Sequence, residues 1–411
     1  MAQENARVEP GFRALMRLVP FRLLLGVRVL WSVGIQMLLM AMGWHAYEIT
    51  GDTWVLALIG LYQFLPVLLF SVPAGYVVDR FSRQKVVSVC MVLQAMAALA
   101  LMGMTLAGAV HTHALYLVCV VLGVSRAALM PALQAIVPAL VAPAVLPRAM
   151  ASVSTATQLS VIVGPALAGL LIVWDVAVVY GLATVLFAIA LFLPLGMRLR
   201  ESAVEARKMS WQTLFAGFTF IGGRPIVLGA ILLDLFAVLF GGAIALLPVY
   251  VKDVLHGSSA DLGFLRAAPA LGAIAMSLLL MARPMERRVG PRLLWAVGVF
   301  GAAAVGFGLS RSVWLSGLVL LLYGAADMVS VVIRQTLVQL ETPDAMRGRV
   351  SAVNSVFIGA SNQLGEFQVA AAATLLGPVP AVVLGGVLTM LLPVLWRQIF
   401  PDLARRDRMA M

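Results

Sequence analysis

Charged residues are scarce in this sequence. Asp, Glu, Lys and Arg together make up 11% of its 411 residues, whereas an ordinary soluble protein has about 25%. Apolar residues account for 62% of the chain. This composition excludes an ordinary soluble fold, and it can supply about twelve membrane helices of about 20 residues each.

Residues for covalent, redox or metal chemistry are equally few. The two cysteines, Cys90 and Cys119, both lie within apolar runs, as small core residues do. The sequence contains neither a phosphate loop ending in Gly-Lys-Ser/Thr nor the His-Glu-x-x-His pattern of a zinc enzyme. The longest polar break, residues 198–212, is too short for a soluble signalling domain. We therefore expect neither an enzyme nor a receptor, and no metal or cofactor.

Twelve apolar segments of membrane-spanning length follow one another along the chain. They fall at 20–48, 54–75, 86–109, 114–137, 150–174, 176–196, 225–250, 260–282, 292–310, 313–338, 350–376 and 379–397. The sequence thus predicts an all-α membrane protein of twelve transmembrane helices in two six-helix bundles around a central cavity. The predicted bundles are 1–197 and 225–411, and a cytoplasmic linker, 198–224, joins them.

The positive charges are distributed unevenly about these segments. Of the 29 Lys and Arg residues, 23 lie at the termini, in the linker or at segment ends on one side of the membrane. Only Lys252 and Arg311 lie in loops on the other side. Basic residues accumulate on the cytoplasmic side of membrane proteins. The pattern predicts cytoplasmic termini, and it explains the net charge of +11 without a nucleic-acid partner.

The two halves repeat one another. Gly123, Arg126 and Gln134 recur at the same spacing as Gly324, Asp327 and Gln335, 201 positions later. Two similar halves joined by a charged linker are typical of secondary transporters built from parallel repeats. The sequence therefore favours a transporter over a membrane-embedded enzyme or scaffold.

Candidate functional residues are the charges within the predicted spans, where each costs about 2.5–3.5 kcal/mol on insertion scales. They are Arg28, Arg126, Asp234, Asp327, Arg334 and Glu366. The first two lie in the N-terminal half and the acids lie in the C-terminal half. We expect a charge pair or water-bridged network between the halves, in which protonation of an acid releases its partner. A fixed structural ion pair is the alternative, and Arg334 and Arg266 lie where their side chains can reach the membrane surface.

A charged turn interrupts the second and third apolar segments. It runs Gly75-Tyr-Val-Val-Asp79-Arg80-Phe-Ser-Arg83-Gln-Lys85. Because Gly75 has no Cβ, we expect the end of the second helix to approach a neighbour closely there. The stretch resembles the signature loop of the major facilitator superfamily, although Ser82 stands where that family often has glycine.

Three further stretches refine this resemblance. Residues 160–169, with Gly164, Pro165 and Gly169, are similar to the fifth-helix motif of superfamily exporters. Within them Ser160, Gly164 and Ala168 share a face at four-residue spacing, which allows close helix contact. Residues 342–351 and 359–367 resemble the enterobactin-exporter branch, which also contains macrolide and tetracycline pumps.

The resemblance implies several properties beyond the fold. Helices one, four, seven and ten would line the central cavity, and five of the six candidate charges fall on those helices. The protein would be a monomer in the bacterial inner membrane that exports a small amphiphilic molecule in exchange for protons. The resemblance favours a siderophore as cargo, with multidrug or antibiotic efflux as the alternative.

Overall fold

The computed structural model describes residues 12–141, 145–197, 218–283, 285 and 287–408. Within this part, twelve long helices follow one another through short turns. They are α1 (Val19–Thr50), α2 (Thr53–Arg80), α3 (Arg83–Leu106), α4 (Thr112–Leu140), α5 (Leu146–Ile172), α6 (Val176–Phe192), α7 (Pro225–Gly241), α8 (Ser259–Ala282), α9 (Val289–Leu309), α10 (Val313–Leu340), α11 (Asp344–Leu376) and α12 (Pro378–Ile399). Short helices, Phe12–Arg17 and Pro401–Ala404, flank them. Residues 198–217 of the predicted linker lie outside the described part.

Eleven of these helices are long and apolar enough to cross a membrane by composition alone. The twelfth, α11, has 33 residues and so is about 50 Å long at 1.5 Å per residue. It is less apolar because it carries polar side chains such as Asn362, Gln363 and Glu366. Its length and its place between α10 and α12 make it the remaining span, and the prediction of a twelve-helix membrane fold is confirmed.

Local signals set the helix boundaries at the end of the molecule remote from the termini. Gly51 ends α1 in a left-handed conformation with φ 62°, which glycine adopts without steric cost. The Asp52 side chain then accepts a hydrogen bond from the Trp54 backbone at 2.8 Å and begins α2. A capping box of Ser258 and Asp261 begins α8.

The seventh span is irregular where the sequence predicts a continuous helix. After Gly241 it passes through a 3₁₀ turn, a short α segment and a π turn that ends at Val254. A Cβ on Gly242 would lie 2.9 Å from the carbonyl oxygen of Gly365 in α11, so glycine permits the close crossing. The irregular stretch carries Asp253 to α1, where its carboxylate accepts a hydrogen bond from the Tyr47 hydroxyl.

The apolar core joins the two bundles at one end. At the end remote from the termini, residues such as Tyr250, Leu262 and Val369 share one continuous core with the N-terminal bundle. The half of the C-terminal bundle nearer the termini has a separate core around residues such as Val227 and Leu293. The bundles therefore meet at the remote end, which we call the closed end.

Three helix pairs form the closed end. Besides α1 and the end of the seventh span, α2 packs on α11 and α5 packs on α8. Between α2 and α11 the Thr53 and Thr374 hydroxyls are 2.9 Å apart, and the Trp54 and Phe367 rings lie 5.9 Å apart. Between α5 and α8 a Cβ on Gly169 would lie 2.5 Å from the Ser259 carbonyl oxygen.

The expectation for Gly75 is wrong in this structure. A Cβ on Gly75 would meet nothing within 4 Å, although the sequence predicts close approach there. The reason is its position: Gly75 lies near the end of α2 that faces away from the closed end, while the contacts of α2 with α11 lie near Thr53 and Trp54.

Glycine is required inside the C-terminal bundle, where α8 crosses α10. A Cβ on Gly272 would overlap the Leu321 carbonyl oxygen. We expect Gly272→Ala to destabilise the protein by about 1–3 kcal/mol, because overpacking outweighs the gain in helix propensity. Thermal unfolding in detergent measures this effect. Gly103→Ala is the matched control, since a Cβ there meets nothing within 4 Å; an equal loss in both variants would contradict the packing argument.

Candidate functional site

A polar cavity lies within the C-terminal bundle between α7, α10 and α11. Its volume is about 220 Å³. The polar side chains that line it are Asp234, Asp327, Arg334, Gln335, Asn354, Ser361 and Asn362. Three of the predicted charges are therefore brought together in one space. The side-chain amides of Gln335, Asn354 and Asn362 can donate and accept hydrogen bonds with a ligand or water.

The charges in this cavity are unequal in number. Arg334 Nη2 lies 2.7 Å from Asp234 Oδ1 in a buried ion pair, and Asp327 interacts electrostatically with both of these residues. Two carboxylates thus share one guanidinium, which leaves a formal charge of −1 when all three are ionised. We call Asp234, Asp327 and Arg334 the acidic cluster.

The structure does not place Arg334 at the membrane surface. Its side chain is only 8% exposed and is held by Asp234, whereas the sequence leaves open that it reaches the surface. The direct pair also joins two helices of the same bundle. The acidic cluster therefore does not form the bridge between halves that the sequence predicts.

A second group of charges does connect the halves. Glu366 on α11 interacts electrostatically with Arg266 on α8 and with Arg126 on α4 of the other bundle. No ion pair within 4.0 Å involves these three side chains in the described part of the chain. The two guanidiniums and the one carboxylate together carry a formal charge of +1 when all are ionised. We call Arg126, Arg266 and Glu366 the basic cluster.

Arg266 is the functional candidate that sequence reasoning missed. Its position near the start of α8 predicts a side chain that extends to the membrane surface, but in the structure Arg266 is partly buried and interacts electrostatically with Glu366. Glu366 itself is adjacent to the other bundle: a Cβ on Gly60 of α2 would lie 3.9 Å from its Oε2. A sequence signal did exist, because Arg266 is a base within an apolar span.

Hydrogen bonds hold the residues around Arg126 in the N-terminal bundle. Arg126 lines a small cavity together with Trp31, Gln63 and Gln94. Trp31 Nε1 donates to Gln94 Oε1 at 3.0 Å, and Gln94 Nε2 donates to Ser125 Oγ at 2.8 Å. This buried relay links α1, α3 and α4 beside the Arg126 guanidinium. Its polar members stand out in the sequence only as isolated interruptions of apolar helices.

Arg28 is the remaining predicted charge of the N-terminal half. It is buried, with 7% exposure, and its Nε has no hydrogen-bond partner. No ion pair to it occurs among the side chains that the structure describes. Of the two predicted N-terminal bases, Arg126 is therefore the one that takes part in an interaction between the bundles.

The charged turn after α2 is shorter than the sequence suggests. Helix α2 continues through Arg80, only two residues follow, and α3 begins at Arg83. Arg80 Nη1 donates to the Tyr76 hydroxyl at 2.7 Å, and Arg83 Nη1 donates to the Ala135 carbonyl oxygen of α4 at 2.9 Å. Lys85 is exposed, and the side chain of Asp79 lies outside the described part.

The small residues of α5 make the close contacts that their spacing predicts. A Cβ on Gly164 would lie 2.7 Å from Gln36 Cβ in α1. The same helix also meets α8, where a Cβ on Gly263 would lie 2.8 Å from the Pro165 carbonyl oxygen. Together with Gly169, these residues let α5 contact a helix of each bundle.

The described residues contain no group of three or more His, Cys, Asp or Glu side chains that could hold a metal ion.

Comparison with known proteins gives this arrangement a family context. The chain is 28% identical over 381 residues to the enterobactin exporter EntS of Escherichia coli O6:K15:H31, covering 91% of this chain and 86% of that protein. It is likewise 28% identical to EntS of Citrobacter koseri over the same share of both chains. In the EntS of Escherichia coli O127:H6, a shorter match of 267 residues reaches 32% identity over 64% of this chain and 60% of that protein.

Solved structures support the fold. A bacterial homologue of the iron transporter ferroportin in an inward-facing state superposes with a TM-score of 0.72 at 18% identity, over 95% of this chain and 99% of that one. A bacterial homologue of the lysosomal transporter Spinster, also inward-facing, superposes with a TM-score of 0.71 at 15% identity, over 93% and 98% of the two chains.

The family model decides the assignment. The model of the Major Facilitator Superfamily matches residues 20–365, which run from the start of α1 to the middle of α11. That range contains the charged turn, the α5 motif and, except for Glu366, all residues of the two charge clusters. The fold, twelve spans in two joined bundles with a polar interior, agrees with this match. The chain belongs to the major facilitator superfamily of membrane transporters.

Proposed function

We propose that this transporter exports a small amphiphilic molecule, and that its cargo is a siderophore. The observation that carries the proposal is an interior with buried charged side chains in two bundles whose apolar cores merge at the closed end. Similarity to the enterobactin exporters over 91% of the chain supports export and a siderophore. The α5 stretch with Gly164, Pro165 and Gly169 also supports export, since it resembles the exporter-type motif.

The proposed setting is the bacterial inner membrane, with a monomer whose termini are in the cytoplasm. The excess of Lys and Arg on the side of the termini supports this orientation. In this orientation the closed end faces away from the cytoplasm, and the structure corresponds to an inward-facing state ready to accept cargo. Export then requires the bundles to separate at the closed end and to meet at the other.

The proton is proposed to bind the acidic cluster. Two carboxylates beside one guanidinium hold an uncompensated negative charge at membrane depth, which one proton neutralises. Asp327 is the carboxylate outside the direct ion pair, so we assign the proton to it. A proton entering from outside and leaving to the cytoplasm would bias the bundles between their two arrangements.

Neutralising Asp327 tests this assignment. In everted membrane vesicles, we expect Asp327→Asn to abolish the proton-gradient-driven accumulation of a radiolabelled catecholate siderophore. Cargo-for-cargo exchange without a gradient should persist, because it needs no proton. Glu48→Gln, an exposed acid at the end of α1, is the control and should retain full accumulation. Undiminished coupled transport by Asp327→Asn would remove this residue from the mechanism.

A basic drug is the second candidate cargo. The negative charge of the acidic cluster would attract the ammonium group of such a molecule, and the branch that the sequence resembles includes drug pumps. Running the same vesicles with a macrolide and a tetracycline separates the two cargoes. Saturable, gradient-dependent drug accumulation without siderophore accumulation would favour drug efflux.

A further inference from the structure

A groove lies between α9 and α12 at the end of the C-terminal bundle that carries the termini. The two helices pack on one another and on α7 of the same bundle. The groove has a volume of about 730 Å³. In its walls Trp295 and Val394 are 73% and 59% exposed. Its lining includes Arg288, Arg292, Trp295, Met390, Val394 and Arg397. Because both helices are membrane spans, the groove opens toward lipid.

The groove exists because the helices touch at one crossing and leave space beside it. A Cβ on Gly301 of α9 would lie 2.7 Å from the Met390 backbone nitrogen of α12. One turn nearer the termini, a Cβ on Gly298 would meet only the Pro393 ring, at 3.8 Å. From this crossing to the first turn of α9 is about 15 Å at 1.5 Å per residue, which is about the depth of one leaflet of hydrocarbon. The groove can therefore hold an extended chain.

Three guanidiniums lie at the end of the groove nearer the termini. Arg288 and Arg292 lie at the start of α9, and Arg397 lies in the last turn of α12. All three residues are exposed, and none forms an ion pair within 4.0 Å with another described residue. The described residues that line the groove include no acid. An apolar trough thus ends at a formal charge of +3.

The C-terminal segment fixes the backbone of Arg288 beside the groove. Arg288 has a left-handed conformation with φ 54°, which residues other than glycine seldom adopt. Its backbone N–H donates to the Asp407 carboxylate at 3.2 Å. The next two residues donate to the backbone carbonyl oxygens of Asp407 and Arg406. Arg288 is therefore held in an unusual conformation by specific contacts, and its carboxylate neighbour is used by the backbone.

An anionic phospholipid matches both parts of the groove. A soluble anion would pair with the guanidiniums but leave the apolar trough exposed, and an apolar helix would cover the trough but leave three charges unpaired. Trp295 lies one turn from Arg292, and tryptophan is enriched where headgroups meet hydrocarbon. The cytoplasmic leaflet, which adjoins this end in the proposed orientation, carries anionic lipids, and basic pockets between helices on that side bind their headgroups.

We infer that this groove is a binding site for an anionic phospholipid. Arg288, Arg292 and Arg397 hold the phosphodiester, since guanidinium groups donate paired hydrogen bonds to phosphate oxygens. One acyl chain lies along the trough past Trp295 and Gly298. The inference goes beyond the proposed export function, because occupancy of this outer groove does not depend on the cargo.

Titration of the purified, delipidated full-length protein with phosphatidylglycerol tests the inference. Native mass spectrometry counts the bound lipids and gives their affinity, and phosphatidylcholine with the same acyl chains is the comparison. The wild type should bind phosphatidylglycerol more tightly. Arg292→Gln with Arg397→Gln should weaken this binding about 30-fold, since each base near a headgroup contributes roughly five-fold. Gly298→Leu keeps every charge but fills the trough, and it should also lose most of the affinity.

Controls separate the site from general charge and from misfolding. Arg17→Gln with Arg22→Gln removes the same charge from exposed arginines near the start of α1 and should leave the affinity unchanged. In lipid-free detergent the arginine variants should unfold at the wild-type temperature, because the substituted side chains are exposed and form no ion pair with a described residue. The arginine variants decide the result if Gly298→Leu unfolds earlier.

Three results would overturn the inference. They are equal affinity for the two phospholipids, unchanged binding in the variant that lacks Arg292 and Arg397, and an equal loss in the variant that lacks Arg17 and Arg22. Soluble glycerol phosphate should compete only weakly, since it has no acyl chain. If it bound as tightly as phosphatidylglycerol, the groove would be a site for soluble anions and not for a lipid.

Discussion

Replacing Arg334 by Gln is expected to lower the free energy of unfolding by about 3–5 kcal/mol, because removing one partner leaves the other charge buried and uncompensated. In the wild type, Arg334 lies 2.7 Å from Asp234 and both side chains are largely buried. Because Asp327 interacts with the same guanidinium, the substitution leaves two carboxylates without a positive partner. Thermal unfolding in detergent, followed by intrinsic fluorescence, measures the loss.

A double substitution provides the decisive control. Asp234→Asn with Arg334→Gln removes one acid and the base together, and it should be considerably more stable than Arg334→Gln alone. Arg397→Gln removes an exposed arginine at the end of α12 and should have little effect. If Arg334→Gln and the double variant were equally unstable, the cause would be lost side-chain packing and not an uncompensated buried charge.

The positions of the spans were predictable because the bilayer imposes them. The predicted segments 20–48 and 379–397 correspond to Val19–Thr50 and Pro378–Ile399. Each helix must bury its backbone hydrogen bonds across the same thickness of hydrocarbon, so apolar length is a sufficient signal. The predicted segment 225–250 is wrong only in its regularity, since the break after Gly241 occurs where Gly242 crosses Gly365 of α11.

The partners of the embedded charges were not predictable to the same degree. That Arg126 and Glu366 would be functional candidates follows from the cost of charge in a membrane. In the structure the acid that interacts with Arg126 is Glu366 and not Asp327. This choice depends on the rotation of α10 and α11 about their axes and on which of them borders the other bundle. Arg266 was misjudged for the same reason, because depth along a helix says nothing about which face the side chain occupies.

Gly75 illustrates a different limit. Its sequence context indicates a close helix approach, yet this structure has open space there. A transporter has at least two arrangements of its bundles, and a sequence encodes contacts for all of them. One structure can display only the contacts of its own state.

Locking the closed end is expected to stop transport. Thr53 and Thr374 lie on opposite bundles with their hydroxyl oxygens 2.9 Å apart. A disulfide between Thr53→Cys and Thr374→Cys should reduce export to the level of vesicles without a proton gradient, because alternating access requires these helices to separate. Addition of a reductant should restore export. The native cysteines Cys90 and Cys119 are buried and free, so they should not compete for the new bond.

The matched control lies within one bundle. The Ser310 and Ser316 hydroxyl oxygens are also 2.9 Å apart, but both belong to the C-terminal bundle, which moves as a unit in the proposed cycle. A disulfide between Ser310→Cys and Ser316→Cys, verified by intact mass, should therefore leave export unchanged. Full export by the Thr53→Cys/Thr374→Cys variant in its oxidised form would mean that cargo leaves without separation of α2 from α11. In that case a path within a single bundle would have to replace the separation of the two bundles at the closed end.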